Sequence, residues 1–339
     1  MSTKSLSLIA LLFTGVAGIS WWGIRKQEKP VVAPTATHHA ALELKVPTEF
    51  RFAAFGDTRF HDPLDTQPAN PAVRQALVAA IDQEHPAFVS IGGDIVYSGD
   101  NADDWAVWDA ETKAWRDHGI PVYPALGNHD LKGDPKIALG NYFARFPQLE
   151  NSRFYSVRMG NSLMLILDSL LDETTGSQGD WLREQLDSLP SGVDFVFFVF
   201  HHPPYTSSSD EKIYGGGHSA RTSEQALAKM LEAKQQHLHA RLIVFSGHVH
   251  NYERHEHNGV TYFVTGGGGA RPHIIPRAPD DLYKHPGVNY HYLLAQVRGN
   301  SVEITMNKLE LKDGKEVWTR PDSVTLTPPA LAPAGAQAH

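Results

Sequence analysis

Short runs of consecutive apolar residues alternate along this chain with longer segments of mixed, amphipathic character. Phe50–Phe55, Ala87–Ile91, Val122–Ala125, Ser162–Asp168, Phe195–Phe200, Arg241–Phe245 and Thr261–Val264 have the length and continuity of strands buried on both faces. Between several of them, Pro71–Glu84, Ala102–His118, Gly179–Leu189 and Ser223–His237 carry the pattern of amphipathic helices. This alternation predicts an α/β domain. The later runs Tyr292–Val297, Ser301–Asn307 and Ser323–Thr327 follow without a helix between them and predict antiparallel strands.

The two ends differ from this body. Lys4 is followed by an apolar run from Leu6 to about Ala17, then by small residues, Trp21, Trp22 and the basic pair Arg25 and Lys26. Residues 1–24 therefore read as a secretory signal peptide or as an uncleaved anchor, since 5–24 is long enough to span a bilayer. Either predicts an exported protein, periplasmic or extracellular, with possible membrane attachment through residues 5–24. Residues 25–49 are rich in Pro, Ala, Val and Thr and are expected to be a linker. The body is expected to span 50–320. Residues 321–339 form a C-terminal end that is expected to be largely disordered, with its Pro/Ala-rich part from Pro328.

Composition narrows the chemistry. The chain has 339 residues and a formal charge of −8, so no basic surplus exists for nucleic-acid backbones and no nucleic-acid partner is expected. Cysteine is absent, which removes disulfide scaffolds, thiolate zinc sites, iron–sulfur clusters and cysteine nucleophiles. Any metal must be held by oxygen donors or by some of the 19 histidines. The fingerprints of serine hydrolases, P-loop kinases and dinucleotide oxidoreductases are missing from the sequence.

The chemistry-bearing residues gather at the ends of the expected strands. The first run ends in Gly56-Asp57-Thr58-Arg59, the second in Gly93-Asp94-Ile95-Val96-Tyr97, and the third in Gly127-Asn128-His129-Asp130. Later runs end in His201-His202-Pro203-Pro204 and in Gly247-His248-Val249-His250. Ligands of open α/β sheets collect beyond the carboxyl ends of the strands. Asp, Asn and His are donors for hard or borderline cations, and a carboxylate can join two ions through its two oxygens. A pair of ions about 3.5–4 Å apart forms a clamp for displacement at phosphorus. The glycines before Asp57, Asp94, Asn128 and His248 are expected to allow the sharp turns that aim these side chains into one crevice.

These five blocks in this order resemble the calcineurin-like metallophosphoesterase superfamily, and within it the purple acid phosphatase branch. Gly247-His248-Val249-His250-Asn251-Tyr252-Glu253-Arg254 and the glycine run Gly266–Gly269 extend the resemblance over about 50–310. It implies a four-layer α/β/β/α sandwich of two mixed sheets, in the small, single-domain form. It implies two metal ions: iron at a first site of Asp57, Asp94, Tyr97 and His250, and iron, zinc or manganese at a second of Asp94, Asn128, His201 and His248. Asp94 would bridge, and His202 would stand behind the ligands. His129, and more weakly His218, would protonate the leaving group. Where many relatives have His or Gly, this chain has Arg59, a cation that would pair with a substrate phosphate or turn outward to an acidic side chain.

The resemblance further implies hydrolysis of small-molecule phosphate esters by metal-bound hydroxide, with no protein nucleophile. Phosphomonoesters are the first expectation, as in acid phosphatases. A phosphodiesterase or nucleotidase of the same superfamily is the alternative, and a catalytically silent exported binding protein is a further one. The stretches 206–217 and 272–290 are expected to line the substrate pocket.

Overall fold

The structure, a computed structural model, describes residues 39–209 and 218–330. The expected leader 1–24, the first part of the linker and the end of the tail lie outside the described residues. In chain order the strands begin with β1 (Ala41–Glu43), β2 (Glu49–Phe55), β3 (Phe88–Ile91), β4 (Val122–Pro124) and β5 (Tyr155–Met159). They continue with β6 (Ser162–Ile166), β7 (Phe195–Phe200), β8 (Arg241–Ser246), β9 (Tyr252–His257) and β10 (Val260–Thr265). The last are β11 (Tyr290–Arg298), β12 (Ser301–Lys312), β13 (Lys315–Thr319) and β14 (Ser323–Leu326). The helices are α1 (Pro71–Gln83), α2 (Ala102–Glu111), α3 (Lys113–Asp117), α4 (Pro135–Arg145), α5 (Gly176–Asp187) and α6 (Thr222–Gln235).

The strands form two mixed sheets. One runs β1-β5-β6-β7-β8-β10-β9, and the other runs β13-β12-β11-β2-β3-β4 with β14 paired on β12. In the first, β6, β7, β8 and β10 are parallel, while β9 turns back antiparallel along the edge. In the second, β2, β3 and β4 are parallel, and β11 and β12 return antiparallel as expected.

Strand β7 shows why its run is continuously apolar. Successive side chains of a strand point to opposite faces. Phe195, Phe197 and Val199 join the core between the sheets, while Val196, Phe198 and Phe200 join a second core with Trp181 and Leu182 of α5 and Leu227 and Leu231 of α6. Phe52 of β2 meets Phe197 edge-on at 5.0 Å and Phe245 of β8 at 6.1 Å, so the sheets pack face to face through aromatic rings. Helix α1 buries Val73, Leu77 and Ile81 on the outer side of the second sheet. This is the expected α/β/β/α order.

Several boundaries differ from expectation. The segment read as one helix, Ala102–His118, is broken at Thr112, whose hydroxyl donates to the carbonyl of Trp108 at 2.6 Å. Such back-bonding competes with the helical ladder. The break lets Trp115 bury completely and donate to the Val78 carbonyl. Part of the expected linker is strand: Ala41–Glu43 pairs with β5, and the Ala40 amide donates to Ser152. A three-residue strand is too short to show a period. The body also passes residue 320, because β14 pairs with β12 and buries Leu326. Helix α4 was not expected. It has few buried positions, and its start rests on Asp134, which caps Lys136 and Ile137, and on Pro135.

Candidate metal centre

Strand register brings the five polar strand ends together. Phe55 stands opposite Ile91 in the parallel pair β2–β3, and Phe200 opposite Ser246 in β7–β8. The Asp57 amide then donates to the Gly93 carbonyl, and the Gly247 amide to that of His201. The two sheets meet at these ends, where His201 Nδ1 donates to the Gly92 carbonyl at 2.9 Å.

The turns themselves are tight. Asp57, Arg59, Asp94 and His248 all have positive φ, between 44° and 67°. For residues with a Cβ this is strained backbone, of the kind that gathers at functional sites. The glycines of these blocks divide: Gly93 takes the turn itself, with φ +86°, as expected, whereas others serve a different end. A Cβ on Gly127 would lie 2.3 Å from the Asp94 amide nitrogen, and one on Gly247 would lie 2.5 Å from Asp57 Oδ2. At these two positions glycine serves close approach of the loops, and after Gly247 it is His248 itself that takes the positive φ.

Because His201 Nδ1 donates to a carbonyl, Nε2 presents its lone pair. Three more potential ligand atoms surround it: Asn128 Oδ1 at 3.1 Å, His248 Nδ1 at 3.2 Å and Asp94 Oδ1 at 3.3 Å. One nitrogen cannot hydrogen-bond all three. Donor atoms that share a cation at about 2.0–2.2 Å stand about 3–3.4 Å from one another. A similar arrangement faces it. His250 Nδ1 donates to the Arg271 carbonyl at 2.6 Å, which leaves Nε2 buried without a partner and 3.4 Å from Asp57 Oδ1, itself buried and unpartnered. Asp57, Asp94 and His250 are close enough to hold one ion, and His201, His202 and His248 another. The donor set fits two cations, with Asp94 placed between the two groups.

Of the seven expected ligands, six converge here. Tyr97 stands apart from Asp57, Asp94 and His250 in its contacts. Its ring packs against His61 at 4.9 Å and His129 at 5.4 Å, with Lys132 Nζ 3.5 Å above it. His129 donates its amide to Asp94 Oδ1 and its Nδ1–H to the Tyr97 carbonyl, so a proton it transfers would leave from Nε2. His218 reaches His248 Nε2 at 3.0 Å. Arg59 lies beside the site, where its guanidinium pairs with Asp94.

Other residues were given no role or a lesser one by sequence reasoning. His202, expected behind the ligands, comes within ligand distance of His201 and His248. His273 stacks on His250 with centroids 4.0 Å apart and accepts the His250 amide. Asp130 closes the third block by accepting the amides of Ile95, Val96 and Gly127, which ties the Asp94 turn to the Asn128 turn. Of the expected pocket stretches, His273 brings the second to the centre, with Arg271 just ahead of it, while residues 210–217 of the first lie outside the described residues.

Burial in this crevice, with few fixed counter-charges, lowers the proton affinity of the imidazoles. His248 and His250 are held well below the ordinary histidine value, chiefly by burial, and His218 is lowered to about 4 for the same reason. The nitrogens are thus neutral and ready to ligate. The carboxylates divide. Burial raises Asp57 to about 7, with the Asp94 charge adding to it. For Asp94, burial is opposed and outweighed by the Arg59 guanidinium and the His129 amide beside it, which hold it far below the usual carboxylate range.

The sequence pattern of the calcineurin-like phosphoesterase family matches residues 50–252. Purple acid phosphatase 15 of Arabidopsis thaliana is 28% identical over 184 residues, covering 49% of this chain and 33% of that protein. A probable cyclic nucleotide phosphodiesterase of Psychrobacter arcticus is 26% identical over 202 residues, covering 57% of this chain and 66% of that one. The chain thus spans between a third and two thirds of the length of these relatives. Among solved structures, purple acid phosphatase PPD1 from yellow lupin (Lupinus luteus) seeds superposes with a TM-score of 0.63 at 19% identity, over 83% of this chain and 55% of that one. PhoD superposes with a TM-score of 0.59 at 11% identity, over 84% and 70%. At these identities the likeness is one of fold.

Proposed function

The chain belongs to the calcineurin-like phosphoesterase family, and from that premise we propose that it hydrolyses small-molecule phosphate esters, monoesters first, at a dinuclear metal centre. The observation that carries this reading is the convergence of Asn128 Oδ1, His248 Nδ1 and Asp94 Oδ1 on the lone pair of His201 Nε2. Asp57, Asp94 and His250 would hold the first ion, iron in the purple acid phosphatase pattern, with Tyr97 completing it. Asp94, Asn128, His201 and His248 would hold the second, iron, zinc or manganese, with His202 beside them. Two such ions supply Lewis acidity toward a phosphoryl oxygen and lower the pKa of bound water.

The protein's own groups then have separate tasks. The Tyr97 carbonyl holds the Nδ1–H of His129, so that a second proton, taken from solvent at Nε2, is the one passed to the leaving oxygen. Arg59, on the rim beside Asp94, offers its guanidinium to phosphoryl oxygens. His218 packs between His248 and His273, where it borders the substrate and is a second candidate acid.

The monoester reading draws on the likeness to purple acid phosphatases, and a diesterase reading on the likeness to the Psychrobacter protein. Metal-loaded protein should be assayed on an aryl phosphate monoester, an aryl diester and a cyclic nucleotide. A kcat/KM at least about tenfold higher on the monoester supports the first reading. A reversed order selects the second, and no turnover with full metal occupancy points to the silent binding protein. We also propose export, on the basic start and apolar run of residues 1–24. Fractionation with amino-terminal sequencing tests it, and a cytoplasmic protein with an intact start overturns it.

A further inference from the structure

Strand β9 reads Tyr-Glu-Arg-His-Glu-His, yet Tyr252, Glu253 and His255 are almost wholly buried. Residues two apart share a face of a strand, so Glu253, His255 and His257 lie in one row. β9 is the edge of its sheet, and a loop closes over it. The Leu282 amide donates to the Arg254 carbonyl at 2.7 Å, and the Arg254 amide to Asp281 at 3.2 Å. This places Asp280 over the two histidines.

The tautomer of His255 follows from its neighbours. Nε2 faces Glu253 Oε2 at 3.3 Å, and Glu253 is itself held by the Thr206 hydroxyl and the Ser207 amide. Glu253 thus takes the Nε2–H and leaves Nδ1 turned to Asp280. Burial is outweighed by Glu253, Asp281 and Asp280, which raise the ring's affinity for a second proton and favour a cation at Nδ1 in the same way. That nitrogen has no hydrogen-bond partner, although His255 is only 1% exposed. His257 Nε2 is buried and unpartnered as well, with its ring fixed by Tyr205 stacked at 3.9 Å. Asp280 Oδ2 lies 3.4 Å from the first nitrogen and 3.3 Å from the second, an ion-pair distance for protonated rings and the spacing of ligands for rings that share a cation. Ligands at about 2.0–2.1 Å around a tetrahedral zinc ion stand about 3.3 Å apart.

We propose that His255 Nδ1, His257 Nε2 and Asp280 Oδ2 form a third metal site, mononuclear and suited to zinc or a similar divalent ion. The three atoms lie within ligand distance of one another, and the site shares no residue with the dinuclear centre. Glu253 stands behind His255 as the carboxylate that orients a ligating imidazole. Asp280, 47% exposed, opens the site to solvent, so that water takes the fourth position. The ion fastens the loop carrying Asp280 to the edge strand.

The test is a metal count on the full chain, stripped with chelator and dialysed against zinc. The parent should retain three equivalents. His257→Gln and Asp280→Asn should each lose one, and Asp94→Asn should keep only the third. In Asp94→Asn loaded with cobalt, the visible absorption of a tetrahedral ion should persist and vanish when His257→Gln is added. Should His257→Gln fail to fold, Asp280→Asn at its exposed position, and an anomalous difference map at the zinc edge on parent crystals, decide instead. Two equivalents in the parent, three in the folded variants, or no peak between His255, His257 and Asp280 would overturn the site. One equivalent in the parent, kept in Asp94→Asn and lost in His257→Gln, would support it while refuting the dinuclear reading.

Discussion

Arg59 donates to Oδ2 of Asp94 at 3.1 Å, which lays a fixed positive charge on the carboxylate that stands between the two groups of ligands. A carboxylate can join two ions through its two oxygens, and Oδ2 of Asp94 would then be claimed by an ion as well as by Arg59. Occupied metal sites and the Arg59–Asp94 pair therefore compete for Oδ2. Release frees the guanidinium for a substrate phosphoryl group. Arg59→Gln should keep its metals longer under chelator challenge and raise KM for an aryl phosphate by about tenfold to a hundredfold, as expected for one lost charged hydrogen bond. The change in kcat should be smaller. Faster metal loss with an unchanged KM would refute the competition.

His129 is expected to assist the departing oxygen. Its ring is oriented by the Tyr97 carbonyl, and its proton affinity is lowered by burial, with Asp94 acting in the opposite sense. An activated aryl leaving group needs little protonation, whereas an alkyl alcohol needs much. His129→Ala should retain its metals, lose modestly on aryl phosphates and lose far more on alkyl phosphates, measured as kcat/KM ratios to the parent. Equal losses on both, with metals intact, would give His129 the task of orienting phosphate and make His218 the acid to test.

Tyr97 is the expected ligand whose contacts lie with other residues, His61, His129 and Lys132. If its phenolate binds ferric iron, the iron-loaded protein should be coloured and Tyr97→Phe should bleach it. A colourless, active iron form with unchanged metal content in Tyr97→Phe would leave Tyr97 as the residue that packs His129. Absorption spectra and metal analysis on the same samples separate the two.

His291 offers a pH test away from the crevice. It is fully buried between the Thr265 hydroxyl and the Asn289 carbonyl, and burial lowers it from 6.5 to about 4. Its folded value lies below its unfolded one, so its contribution is complete above about pH 6.5 and is lost as pH falls toward about 4. Between about pH 7.5 and pH 5 the parent should lose about 2 kcal/mol more than His291→Gln, read from urea unfolding. Parallel pH profiles would mean that His291 takes up its proton without unfolding.

The parts of this molecule that were legible in its sequence are those where the chemistry and the period coincide. Continuous apolar runs such as Phe195–Phe200 announce buried parallel strands, and their polar endings announce a crevice. Asp57, Asp94, Asn128, His201, His248 and His250 were recognisable because each follows such a run. Strand β9 was not, because its buried residues are polar and are satisfied by a loop far along the chain, a pairing that no local period reveals. His273 and His202 were hidden for a related reason: their roles depend on a ring stack and on a ligand distance, both products of tertiary packing. Arg59 was visible as an oddity, but its partner was not.

The ligands also come from two different sheets. Asp57, Asp94 and Asn128 follow β2, β3 and β4, while His201, His248 and His250 follow β7 and β8. The centre therefore acts as a gauge of how the two layers are seated on each other. Substitutions at the Phe52–Phe197–Phe245 contact, which touch no ligand, would be felt as a change in spacing across the seam. Conversely, bound ions would rivet the layers together, so that shearing one sheet over the other would first require the rivet to come out.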